Sequence, residues 1–262
     1  MEKLFKNKVV LITGGTGFLG RNLAKEILKY NPASIRIFSR DEVKHHRLQE
    51  QFKKYGEIIK PFIGDVRDYD RLEKATKGCD ILVHTAALKR IDLIEYNVEE
   101  SIKTNIFGTM NVVRASLKNQ VPKVIFVSSD KACSPVNTYG ACKFVSERIF
   151  IESNFSKGSA KTVFACVRYG NVVNSTGSVI PIFMDKIQNK EELTLTHPEM
   201  TRFIITGEQA VKLIFKAVEY AEGGEIFIPR LPALKITDLI NYLKKRYDSD
   251  SKIKLIGVRP GE

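Results

Sequence analysis

The sequence predicts a doubly wound α/β fold, a parallel sheet with helices on both faces and a small C-terminal cap. Three observations predict it. Short β-branched runs alternate with amphipathic stretches. Each run lies too far from the next for a hairpin, which favours crossover connections and a parallel sheet. The first run feeds directly into a glycine cluster. The runs at 9–13, 35–38, 58–63, 81–84, 124–128 and 163–167 read as buried strands. Between them, 19–30 and 41–55 read as helices, and 98–117 as a longer one on which Val98, Ile102, Ile106 and Met110 recur at every fourth position. After Asn171 the rhythm breaks at Gly177, Pro181, Pro198, Gly207, Gly223-Gly224, Pro229, Pro232 and Pro260, so this part reads as a cap packed on the first domain.

Composition narrows the functional classes. A chain of 262 residues with 43% hydrophobic and 27% charged residues is neither disordered nor fibrous. The longest apolar runs, 9–12 and 124–127, fall far short of the roughly 20 residues that cross a bilayer. The N-terminal run is too short for a secretion signal, so no membrane partner and a cytoplasmic location are expected. Lys and Arg outnumber Asp and Glu by 42 to 30, a net charge of +12 that raises nucleic acid as a partner. The basic residues are dispersed, however, and the densest run, Lys244-Lys245-Arg246, reads as a solvated helix face, so no nucleic-acid partner is expected. The four cysteines form no Cys-x-x-Cys pair and the four histidines no zinc-like spacing, which predicts reduced thiols and no metal.

The chemistry concentrates at strand ends. Gly14-Gly15-Thr16-Gly17-Phe18-Leu19-Gly20 joins the first strand to the first helix. Such glycines permit a tight turn and let a pyrophosphate rest on the positive end of the helix. The second strand ends in Ser39-Arg40 where an NAD-preferring fold has an acid for the ribose hydroxyls. A guanidinium suits a phosphate instead, which predicts NADP. Asp41 has the competing role of capping the next helix. Asp65-Val66, after the third strand, is placed to meet the adenine, with an ordinary turn as the alternative. Past the fifth strand come Ser128-Ser129-Asp130-Lys131 and then Tyr139 and Lys143. Residues four apart share a helix face, so an ammonium at Lys143 is placed to lower the phenol's pKa and to bond a nicotinamide ribose.

Thr13-Gly14-Gly15-Thr16-Gly17-x-x-Gly20, Asp65-Val66 and Tyr139-x-x-x-Lys143 resemble the extended short-chain dehydrogenase/reductase family, with its doubly wound Rossmann sheet. Within it, Ser39-Arg40-Asp41-Glu42, Gly64-Asp65-Val66-Arg67-Asp68, Ala86-Ala87-Leu88-Lys89, Ser129-Asp130-Lys131-Ala132, Arg168-Tyr169-Gly170-Asn171-Val172, Met200-Thr201-Arg202-Phe203 and Arg259-Pro260-Gly261-Glu262 resemble the inverting UDP-N-acetylglucosamine 4,6-dehydratases. Arg90-Ile91-Asp92 departs from the family's usual His-Val-Pro, and Ser129 stands where Thr is common.

The resemblance implies a redox-neutral removal of water from UDP-N-acetylglucosamine with inversion at C5. Tyr139 and Lys143 would act at the C4 hydroxyl, Lys131 on the C5 proton and Asp130 on the 6-hydroxyl. NADP would lie against Gly14, Thr16, Gly17, Phe18, Leu19, Gly20, Ser39, Arg40, Asp65, Val66, Ala86, Ala87, Lys89, Asn105, Ser128, Tyr139 and Lys143. The UDP-sugar would meet Lys89, Asp130, Lys131, Tyr139, Asn171, Thr201, Arg202, Arg259 and Glu262. The expected division is a cofactor domain at 1–173 with a return near 203–230, and a substrate cap at 174–202 and 231–262. Members of the family continue past Arg-Pro-Gly-Glu, where this chain stops, so the cap is expected to be truncated. A homo-oligomer is also expected. A nucleotide-sugar 4-epimerase or reductase, and a non-catalytic NADP-binding module, are the alternatives.

Overall fold

The computed structural model describes residues 2–175, 178–258 and 261. Its central sheet contains β1 (Val9–Thr13), β2 (Ser34–Ser39), β3 (Ile59–Ile63), β4 (Ile81–His84), β5 (Lys123–Val127) and β6 (Val163–Val167). The rest of the chain adds β7 (Asn171–Val172), β8 (Leu193–Leu195), β9 (Thr201–Ile205), β10 (Ile226–Phe227), β11 (Ala233–Lys235) and β12 (Ile253–Leu255). The large sheet has seven strands in the order β10-β6-β5-β4-β1-β2-β3, all parallel.

Successive residues of a strand point to opposite faces, and here both faces are covered. Val10 and Ile12 belong to one apolar core with Leu23, Ile27, Ile214 and Val218. Leu11 belongs to the other, with Leu82, Phe126, Phe150 and Phe164. Strands buried on both sides are apolar at nearly every position, which is why β1, β4, β5 and β6 stand out in the sequence as runs broken only at an end, by Thr13, His84 and Lys123.

Strand order reverses between β1 and β4, and the crevice beyond their carboxyl ends is where such sheets receive ligands. The segment after β6 forms β7, the helix Val179–Gln188, β8 and β9. It then returns to the main sheet as the helix Gly207–Tyr220 and β10. A three-stranded sheet β11-β9-β7 and a pair β12-β8 accompany the helices Val179–Gln188 and Ile236–Arg246. These elements have their own core, including Phe183, Ile187, Leu193, Leu195, Ile240 and Leu243.

The long helix departs from the sequence expectation. It is α-helical at Val98–Ser101, π-helical at Ile102–Phe107 and α-helical again at Gly108–Lys118. Val98 and Met110, the ends of the every-fourth stripe, are each 43% exposed. The buried face instead holds Thr104, Asn105, Thr109, Val112, Val113 and Ser116. A π-turn shifts the phase of the following residues, and the inward side chains are chosen for bonding as much as for apolarity. Thr109 Oγ1 lies 3.1 Å from His84 Nε2, and Asn105 Oδ1 accepts from Leu88 N at 2.8 Å.

The helix Thr138–Ser156 is tied to the sheet by a buried ion pair. Arg168 Nε donates to Glu147 Oε1 at 3.0 Å and its Nη2 to Oε2 at 2.5 Å, with the Glu147 side chain fully buried. Removing one partner of such a pair leaves the other charge uncompensated. Glu147→Ala is therefore expected to lower unfolding stability by about 3 kcal/mol in urea titrations, with a cost under about 0.5 kcal/mol, the range of a neutral surface substitution, contradicting this role.

Candidate active site

The crevice is floored by the glycine turn. Gly14 has φ +67°, and a Cβ there would lie 2.8 Å from the Ala86 backbone; a Cβ on Gly20 would lie 2.5 Å from Gly15 Cα. The turn is thus folded tightly on itself and against the loop after β4. Gly17 caps the helix Phe18–Ile27 without a side-chain bond. By contrast, Asp41, Asp68, Asn137 and Thr206 cap the helices Glu42–Gln51, Tyr69–Thr76, Thr138–Ser156 and Gly207–Tyr220 with their side chains. A helix start without a side-chain cap suits an anionic ligand. Ser128 Oγ, buried at the end of β5, has no hydrogen-bond partner among the described residues. Both features fit a bound dinucleotide.

At the end of β2, Ser39 Oγ lies 2.8 Å from Thr16 Oγ1 and 3.0 Å from His45 Nε2. Arg40 is mostly exposed and reaches Asp65 at 3.4 Å, whereas Arg67 holds the same carboxylate at 2.8 Å. Burial pushes the Asp65 carboxyl up, but the hydrogen bonds and charge of Arg67, with the charge of Arg40, hold it below the usual carboxylate range. Asp65 keeps a close partner if Arg40 turns elsewhere. Asp41 accepts from Lys44 N at 2.9 Å, its capping role. Val66 is buried beside Gly108, while Phe18, Leu19, Ala86 and Ala87 are half-buried. Asn105 is buried, and its amide is spent on Leu88 N, Leu88 O and Ser101 Oγ. Its side chain therefore shapes the 86–89 loop.

Past β5 the backbone makes a 3₁₀ turn, Asp130–Ala132, before the helix Thr138–Ser156 begins. The helix thus starts well beyond the strand end. Ser129 Oγ donates to Asp130 Oδ1 at 2.9 Å and accepts from Lys131 N at 3.3 Å. Lys131 Nζ donates to Asp130 Oδ1 at 3.1 Å and to Asn171 Oδ1 on β7 at 3.2 Å. A Cβ on Gly140 would come within 2.2 Å of the Lys131 carbonyl oxygen, so only glycine lets the helix press against this turn.

Lys143 is buried, donates to Val127 O at 2.7 Å and stands 4.4 Å from the Phe126 ring and 5.8 Å from that of Tyr139. Burial pushes it from 10.5 down to about 8, with Glu147 opposing the shift. The Tyr139 phenol is pushed up by burial and by the Asp130 charge, against a hydrogen bond with Ser129. The expected lowering by Lys143 is absent in this unliganded geometry. His84 is held between Thr13 Oγ1 at 2.6 Å and Thr109 Oγ1 at 3.1 Å, and burial followed by the Lys143 charge pushes it down to about 3. It is a neutral structural group.

Ser129 stands in its motif in the sequence without being marked as a site residue; its bonds orient Asp130 and Lys131, and its signal is a serine at the cap of the Asp-Lys turn. Of the expected sugar-binding residues, Lys89 and Thr201 are exposed. Arg202 is half-buried, donates to Thr201 O at 2.9 Å and shares a narrow cleft with Asn171, Ser178 and Leu234. Arg259 and Glu262 lie outside the described residues. Gly261 is described, and its carbonyl accepts from Asn137 Nδ2 at 2.8 Å.

Residues 10–262 match the model of a family described as polysaccharide biosynthesis protein. The chain is 45% identical, over 99% of its length and 76% of the relative's, to a Campylobacter jejuni protein named UDP-N-acetylglucosamine 4,6-dehydratase (inverting). It is 42% identical, over 99% of its length and 76% of the relative's, to a Rickettsia bellii protein named UDP-glucose 4-epimerase. The X-ray structure of Pen from Bacillus thuringiensis superposes with a TM-score of 0.97 at 42% identity, covering 99% of this chain and 82% of that one.

The depressed Lys143 carries a stability signature. Between pH 8 and 10.5 the unfolded chain holds a proton that the folded chain has shed, so unfolding free energy rises with pH across that window. Denaturant titrations of the unliganded protein are expected to show this rise in the wild type and its loss in Lys143→Met. The same rise in the variant would assign it to another group.

Proposed function

The chain belongs to the polysaccharide biosynthesis protein family of extended short-chain dehydrogenase/reductases, and from that premise we propose that it dehydrates UDP-N-acetylglucosamine across C5 and C6, inverting C5 to give a UDP-4-keto-6-deoxy-L-arabino-hexulose. The observation that supports this reading most is the Asp130–Lys131 pair, an acid and a base 3.1 Å apart beside the helix of Tyr139. A simple 4-epimerase, the activity named for the Rickettsia relative, works at C4 alone and has no task for that pair.

NADP, held by the glycine turn and the ends of β2 and β5, would supply the redox capacity, a hydride acceptor at C4 and donor at C6. The residues manage the protons. Tyr139, once its phenol proton has left for solvent and Lys143 compensates the phenolate, would take the proton of the C4 hydroxyl, and the ketone formed makes the C5 hydrogen acidic. Lys131, after passing a proton to Asp130 along their hydrogen bond, is a neutral amine able to take that hydrogen. Asp130 then protonates the departing 6-hydroxyl, and water leaves. Two protons are released, from O4 and C5; two are consumed, by the leaving hydroxyl and by reprotonation of C5 from the opposite face. Lys143, buried behind the phenol, is placed to compensate charge on Tyr139.

Gly14 through Gly20, Ser39, Arg40, Asp65 and Ser128 would hold the dinucleotide. Lys89, Asn171, Thr201, Arg202, Arg259 and Glu262 would meet the UDP-sugar, with 174–202 and 231–262 as the substrate cap. The exposed apolar side chains Val98, Phe107 and Met110 on the segment 98–118, and Phe144 and Val145 on the helix Thr138–Ser156, support a second copy of the chain as partner.

Lys131→Ala is expected to abolish conversion of UDP-N-acetylglucosamine into a product lighter by one water while leaving NADPH binding intact; near-wild-type turnover would rule out its assigned role. Arg40→Ala is expected to weaken NADPH about tenfold in fluorescence titrations, as loss of a charge-assisted bond does, and to leave NADH unchanged. Equal losses for both cofactors would overturn the NADP assignment.

A further inference from the structure

Asn137 uses its side-chain amide twice. Its Oδ1 accepts from Gly140 N at 2.7 Å, capping the helix that carries Tyr139 and Lys143. Its Nδ2 donates to the carbonyl of Gly261, 124 residues further along the chain, at 2.8 Å. Capping needs only an acceptor, which Ser, Thr or Asp provides as well. An ionised Asp has no donor and a Ser or Thr hydroxyl donates from the same short-armed oxygen that caps, whereas the amide carries its donor on a separate nitrogen.

The tail is seated closely on the other side too. Gly261 has φ +79°, and a Cβ there would lie 2.8 Å from Ile91 Cγ2 and 3.0 Å from Glu95 Cγ. Glu95 Oε1 in turn accepts from Thr138 N at 2.8 Å. Glu95, Asn137 and Gly261 therefore enclose the first turn of the helix, immediately before Tyr139.

We infer that Asn137 is a positioning residue that couples the C-terminal segment to the catalytic helix, its hydrogen bond to Gly261 helping to order that segment on the site. The inference rests on the UDP-sugar reading above, in which residues on either side of Gly261 meet the sugar nucleotide. A ligand gripped between tail and helix loses binding, rather than chemistry, when that bond is cut.

Asn137→Ser keeps a capping acceptor but is too short to reach the Gly261 carbonyl, whereas Asn137→Ala loses both bonds. Gly261→Ala drives a Cβ into Ile91 and Glu95 while leaving the cap intact. Hydrogen exchange of the unliganded protein is expected to quicken in the peptide 253–262 in both Asn137→Ser and Gly261→Ala, and to stay unchanged within 141–156. KM for UDP-N-acetylglucosamine is expected to rise about fivefold, the fold-change of one neutral hydrogen bond, with kcat within about twofold, NADPH binding unchanged and the double variant no worse than either single one. Wild-type tail exchange in Asn137→Ser, or a change confined to kcat, overturns the coupling. If the wild type does not turn over this sugar, the functional reading fails, while the exchange comparison still decides the coupling.

Discussion

The site depends on one contact between backbones. The first turn of the helix Thr138–Ser156 rests on the carbonyl of Lys131, with no room for even a methyl group at Gly140. That contact brings the Asp130–Lys131 turn and the Tyr139–Lys143 helix face into one constellation, although ten residues separate the end of β5 from the helix. The other constraints act to hold it. Glu147 and Arg168 fix the helix against β6, Asn137 and Glu95 fix its start, and the Asp130 backbone N–H donates to Tyr169 O at 2.9 Å. A shift in any of these would move two pairs of reacting groups relative to each other.

The constellation combines two electrical environments. Lys143, His84 and Tyr169 lie in a dry layer where burial disfavours charge, so the lysine is depressed, the histidine neutral and the phenol of Tyr169 raised. Asp130 and Lys131 keep about a quarter of their side-chain surface open and are bonded to Ser129 and Asn171. Proton exchange with solvent is natural in the open layer and slow in the dry one.

Much of the fold was legible because its central strands are covered on both faces. Residues 9–12, 81–83 and 163–167 are apolar without a break, and the glycine turn follows closely on the first of them. The late, short strands were not legible, since β7 and β10 have two residues each and β12 is exposed at every position, leaving no period to read. The stripe on 98–117 was a true helix signal, but its ends, Val98 and Met110, face outward, because a π-turn changes the phase midway and polar side chains occupy the inner face. In the site, Asp130, Lys131, Tyr139 and Lys143 announced themselves by spacing and motif. Glu147 with Arg168, and Asn137 with Gly261, meet across 21 and 124 residues, and no local pattern marks a contact made only by folding.

The central claim is that protons leave and re-enter the sugar at C5 while C6 loses its hydroxyl. Proton NMR of UDP-N-acetylglucosamine incubated with the protein and NADP in heavy water tests it most directly. The account predicts a 4-keto-6-deoxy product with a C6 methyl group and deuterium at C5. A 4-epimer with its C5 hydrogen retained, or no 4-keto-6-deoxy sugar at all, would contradict it.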